Sequence, residues 1–160
     1  MKKIKRYDVK SSPLFWALEK DDVAAAIQDL DSGISLEIRD NGGNTPLIRA
    51  AFLGHMQLLQ LFLDRGADVN AVDDYGMCGL HYAAQETRED VVRLLVSHGA
   101  IVDAQDLHGN TPLGTAVFNR EVKIIHFLVA SGANLEIENN HGVSPLGLAE
   151  TMGFDIDLNE

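Results

Sequence analysis

Six histidines and one cysteine hold most of this chain's capacity for nucleophilic or metal chemistry. Cys78 and His81 stand three residues apart, so one helical turn brings a thiol within reach of an imidazole base. A working nucleophile also needs a group that orients the base. The chain has no phosphate-cradling glycine loop and no convergent set of titratable residues. A metal site is equally ill served. His55 follows Gly54, His98 precedes Gly99, and His108 and His141 lie 33 residues apart. No Cys/His pair has the tight spacing of a zinc site. The expectation is therefore no catalytic residue, no cofactor and no metal.

The elements that place these residues follow from a repeat. The string GNTPL occurs at Gly43–Leu47 and again at Gly109–Leu113, 66 residues later, and the underlying period is 33. Pro13, Pro46, Pro112 and Pro145 share one slot, which Gly79 fills in the remaining copy, and a leucine follows each of the five. Gly33, Gly66, Gly99 and Gly132 form a second series. Gly43, Gly76, Gly109 and Gly142 form a third, each preceded at three residues by Asp40, Asp73, Asp106 or Asn139.

One unit shows what the repeat builds. Thr45 followed by Pro46 is a helix start, a capping hydroxyl and then a proline in the first turn. LIRAAFL continues that helix, small at Ala50 and Ala51 where a neighbour can come close, and Gly54 ends it. MQLLQLFLD is a second helix, apolar on almost every side, closed by Gly66 in a left-handed cap. ADVNAVDDYG carries the Asp and Gly of a chain reversal. A lone helix–turn–helix cannot bury both its faces, so neighbouring units must stack into an all-α solenoid with projecting hairpin-like loops. The expected division is an N-terminal capping unit over 1–39, internal units over 40–72, 73–105 and 106–138, and a half-unit over 139–160.

These strings, with LHYAA at Leu80–Ala84 and LLVSHGAIVDA at Leu94–Ala104, closely resemble the ankyrin repeat over about residues 7–155. That family has a Thr-Pro-Leu-His start whose histidine ties adjacent loops by hydrogen bonds. Here only His81 keeps it, while Phe15, Ile48, Gly114 and Gly147 take the equivalent places. The resemblance thus implies a structural task for His81. Cys78 and Gly79 replace Thr and Pro in the same unit, so its first helix is expected to start less firmly. Trp16 falls in the first helix of the capping unit, and Asp155 and Asp157 stand where the last unit needs apolar residues. Asn70 and Asn134 match a family loop position that is hydroxylated in animal cells.

The charge is unevenly distributed. Five of the thirteen Lys and Arg lie in residues 1–10, leaving 8 bases against 23 acids in residues 11–160. A surface of that sign repels nucleic acid and accelerates encounter with a basic protein. No apolar run approaches a membrane span, and the basic start followed by the short LFWAL is not expected to act as a secretion signal. The lone cysteine excludes an internal disulfide framework, and a cytoplasmic protein, monomeric when free, is expected.

The family binds partners through its loop tips and the exposed side of its first helices. By the resemblance those slots are Asn41, Asn44, Phe52 and Leu53; then Asp74, Tyr75, Met77, Gln85 and Glu86; then Leu107, His108, Asn110, Phe118 and Asn119; and Asn140, His141, Val143, Thr151 and Met152. Phe52, Leu53, Tyr75, Met77, Leu107 and Phe118 are apolar in slots that stacking leaves free to be polar. The partner-binding set is therefore Phe52, Leu53, Asp74, Tyr75, Met77, Glu86, Leu107, His108, Phe118 and Asn119, with part of the apolar set expected to turn back into the core. The function expected is non-catalytic: covering the functional surface of a basic partner protein, as a bacterial immunity protein covers a toxin. An assembly chaperone or scaffold, or a regulator like the ankyrin-type kinase inhibitors, is the alternative.

Overall fold

Helices repeat with the period of the sequence in the structure, a computed structural model that describes residues 6–8 and 12–156. Of the basic first ten residues only 6–8 fall among these, and Asp157 lies outside them. The first helices of successive pairs are α1 (Pro13–Glu19), α3 (Pro46–Leu53), α5 (Gly79–Gln85), α7 (Pro112–Phe118) and α9 (Pro145–Thr151). The second helices are α2 (Val23–Asp31), α4 (Met56–Asp64), α6 (Glu89–Ser97) and α8 (Val122–Ala130). Both series advance by 33 residues. α1, α3, α5, α7 and α9 pack in one column and the second helices in another, so the fold is a helical solenoid.

Local chemistry sets the ends. The hydroxyls of Thr45, Thr111 and Ser144 accept from the backbone N–H groups of Ile48, Gly114 and Gly147, and a proline occupies the first turn behind each. Each such cap contributes about 1 kcal/mol. Gly54 closes α3 at φ 77°, and Gly66, Gly99 and Gly132 follow α4, α6 and α8 at positive φ. Between the columns runs one continuous core from Leu14 to Ala149. Leu47, Leu80 and Leu113, the residues after the proline slot, are fully buried, and each contributes about 2 kcal/mol.

At the start of α5 a side chain other than the missing threonine meets the backbone. Cys78 provides no hydroxyl, yet its backbone N–H donates to His81 Nδ1 at 3.2 Å, so the imidazole ties down the turn that the missing threonine leaves loose. Gly79 is buried, and a Cβ there would stand 3.3 Å from Leu47 and 3.4 Å from Ala51. The glycine is where α3 and α5 approach too closely for a larger residue at ordinary contact.

The loops form a ladder of their own. One carboxylate or amide oxygen in each loop accepts two backbone N–H groups: Asp40 from Gly42 and Asn44, Asp73 from Tyr75 and Met77, Asp106 from His108 and Asn110, Asn139 from His141 and Val143. Successive loops then bond to one another, with Asp74, Leu107 and Asn140 N–H donating to the carbonyls of Gly42, Tyr75 and His108. Gly43 and Gly109 answer why GNTPL recurs. Both have φ near 80°, and a Cβ would meet the next loop, at 2.5 Å from the Asp74 carboxylate and 3.0 Å from the Asn140 backbone nitrogen.

The ladder begins earlier than the sequence suggests. β1 (Arg6–Tyr7) pairs in parallel with β2 (Arg39–Asp40), Arg6 opposite Arg39 and Tyr7 opposite Asp40. Those partners are one period apart, so β1 is the first rung.

Candidate protein-interaction surface

Three large apolar side chains stand out on the loop tips and first helices. Tyr75 is 62 % exposed, and Leu107 and Phe118 are 66 % exposed. Tyr75 and Leu107 share the loop ladder through the Leu107 N–H bond to the Tyr75 carbonyl, and Phe118 ends α7. His108 is exposed beside Leu107.

The other expected site residues are engaged within the chain. Phe52 is half-buried, edge-on to Tyr82 at a ring separation of 5.8 Å and with the Arg49 guanidinium 5.7 Å from its centroid. Leu53 packs against the core. Met77 is half-buried, its backbone held at both ends by Asp73. Glu86 accepts from Gln85, and the Asn119 side-chain amide donates to the Gln85 carbonyl 34 residues earlier, strapping α7 to α5. Asp74 takes a two-pronged ion pair from Arg6, with one N–O distance of 2.7 Å, and these hydrogen bonds hold its carboxyl below the usual range. Asp74 belongs to the expected partner-binding set, and it is exposed. Its field is shared with the first rung.

A second column of this face went unread in the sequence. Residues Trp16, Arg49, Tyr82, Thr115 and Leu148 occupy equivalent places on the five first helices. Arg49 pairs with Glu19 at 2.7 Å, and the Tyr82 hydroxyl donates to Asp73 at 2.6 Å. Burial and that bond to a carboxylate hold the Tyr82 phenol well above its ordinary range. Trp16 at the open end is half exposed. The signal was available, because the period places the tryptophan in line with Tyr82.

The Cys78–His81 pair is closed to substrate. Sγ and Nδ1 are 3.2 Å apart, but the residues are 1 % and 0 % exposed. Nδ1 accepts the Cys78 backbone N–H, which leaves the Nε2–H to donate to the Asn110 carbonyl at 3.0 Å in the next loop. The imidazole is a tie between units, as the resemblance implied. Among the described residues no group of three or more His, Cys, Asp or Glu is placed to hold a metal, and no helix is long and apolar enough to cross a membrane.

The family pattern described as ankyrin repeats (3 copies) matches residues 2–73 and again residues 54–139. The chain belongs to the ankyrin-repeat family. An ankyrin repeat-containing protein of Schizosaccharomyces pombe is 36 % identical over 67 residues, which is 41 % of this chain and 32 % of that protein. Neurogenic locus notch homolog protein 2 of Homo sapiens is 49 % identical over 49 residues, and alpha-latrotoxin-Lh1a of Latrodectus hasselti 43 % over the same length. Each of those matches spans 31 % of this chain, and 2 % and 4 % of the respective proteins. This ankyrin-repeat chain therefore aligns with a third or less of each relative's length. Ankyrin repeats are a protein–protein interaction fold.

Proposed function

We propose that this ankyrin-repeat protein acts without catalysis, by binding a basic partner protein and covering its functional surface, in the manner of an immunity-type inhibitor. One observation carries the reading: Tyr75, Leu107 and Phe118 stand exposed on a single face of a body with 23 acids against 8 bases. Apolar anchors within a charged surround are what an interface core and its rim require. Acidic copies repel one another, which favours a free monomer over self-association. A cytoplasmic site of action fits the lone, buried cysteine.

The test is capture from the native cell followed by surface plasmon resonance on the purified pair. Tyr75→Ala and Phe118→Ala should each speed dissociation roughly tenfold or more, because truncating a central aromatic anchor costs about 2 kcal/mol. Circular dichroism should show both variants melting within about 0.5 kcal/mol of the parent, as exposed positions do. Binding that survives both changes, but is lost on Gln60→Arg in α4, would place the interface on the opposite column. A partner whose activity is untouched when bound would remove the inhibitor reading and leave a scaffold or chaperone.

A further inference from the structure

The slot two residues after the proline position is filled in the first three units and vacated in the last two. Phe15, Ile48 and His81 occupy it, each with no exposed surface, whereas Gly114 and Gly147 leave it without a side chain. At Gly114 the neighbours do not collapse into the gap. A cleft of about 410 Å³ opens between α7, α9 and the loops before them, with Thr115 and Phe118 on one wall and Ile137, Val143, Pro145 and Leu148 on the other.

Apart from the exposed His141 imidazole, the polar side chains that line the cleft already have partners within the chain. Thr111 accepts from Gly114 N–H, Thr115 donates to the Thr111 carbonyl, and the Asn139 side-chain amide donates to Asn110 Oδ1 at 2.9 Å. Ser144 accepts from Gly147 N–H. A guest therefore meets an apolar wall with few polar groups asking for a bond, and the volume lies within the range of ordinary ligand sites. Charge restricts the guest further. Residues 106–156 carry six acids against two bases, so a second copy of this chain is disfavoured and a cationic segment attracted.

We infer that this cleft is a socket for one aromatic side chain projecting from a basic segment of a partner protein, gripped between Phe118 and Leu148. The inference rests on the interaction reading above and names its anchor point.

The probe is a short peptide with one tryptophan between lysine pairs, titrated into the full-length, ¹⁵N-labelled chain. Amide shifts should concentrate at Gly114, Thr115, Val143 and Gly147. Alanine in place of the tryptophan should abolish them, and glutamates in place of the lysines should weaken binding. Gly114→His refills the slot. A Cβ there stands at 3.6 Å and 3.9 Å from its nearest neighbours, ordinary contacts, so the variant should fold. It should weaken the peptide roughly tenfold or more. Thr115→Tyr, in the column where Tyr82 already sits, fills the cleft from the next position of the same α7 wall and should do the same. Equal shifts with the alanine peptide, or binding indifferent to both fillers, would overturn the inference. So would self-association by sedimentation that Gly114→His abolishes, since the guest would then be a second copy. If the peptide misses the cleft while Phe118→Ala still releases a captured protein, the socket fails and the interaction reading stands. If the peptide seats there and neither alanine variant affects a captured protein, the socket stands and that reading fails.

Discussion

The junction between the third and fourth helix pairs and the one that follows it are built on the same plan and differ at one slot. At the earlier junction His81 joins the Cys78 N–H of its own turn to the Asn110 carbonyl of the next loop. At the later one Gly114 does neither, and the loops are held by Asn139 to Asn110 and by Gln105 to the carbonyls of Gly109 and Glu138. The face above them differs in the same sense. Upstream, Glu19, Arg49, Phe52, Tyr82 and Asp73 form a connected chain of contacts. Downstream, Phe118 stands free beside a cleft. Filling a slot with an imidazole stiffens a junction, and emptying it keeps the helices stacked while leaving room for something else.

The sharpest way to break this contrast is His81→Ala. It removes a buried ring, strands the Cys78 N–H and takes a donor from the Asn110 carbonyl, so the loss should be about 3 kcal/mol in urea denaturation. A loss below about 1 kcal/mol would mean that the two junctions are held alike.

Tyr82→Phe should cost less, about 1–2 kcal/mol at neutral pH, for a hydrogen bond to a carboxylate. Its pH dependence carries the information. The folded phenol titrates above its unfolded value of about 10. Above that pH the unfolded chain releases a proton that the folded one retains, so wild-type stability falls as pH rises. Melting temperatures of the two proteins should therefore converge between about pH 10 and 12. A constant gap would show that Asp73 does not hold the phenol.

The smallest effect separates the two helical glycines. Gly114→Ala meets only ordinary contacts and should gain about 0.5–1 kcal/mol from helix propensity. Gly79→Ala presses on Leu47 and Ala51, and overpacking there should cancel or reverse the same gain. Thermal melts of both variants read the difference directly. An equal rise in both would mean that α3 yields freely at Gly79.

Most of the helical plan was legible because it is written in local chemistry that repeats. Thr45, Thr111 and Ser144 cap helices for the reason their hydroxyls predict, and Gly66 and Gly99 follow helix ends because their positive φ excludes most residues. The first rung was not legible. Tyr7 stands where Asp40, Asp73 and Asp106 stand in later loops, so no turn-forming carboxylate marks the position. The contacts of Phe52 and Asp74 were not legible, because Phe52 meets Tyr82, a residue of the next unit, and the partner of Asp74, Arg6, lies two rungs away. The glycines at 114 and 147 were visible as departures. Whether a missing side chain leaves a gap or lets its neighbours close in depends on packing, which no single strand of text records.

The loop ladder also has a consequence in time. Each rung bonds to the rung one period away, and the helices pack on those of adjacent units, so few contacts require distant parts of the chain to meet. Little loop-closure entropy stands in the way of each addition, and any well-packed pair of neighbours can act as the seed from which the rest grows in both directions. The chain can thus assemble as a sequence of short steps, each adding one unit to its neighbour.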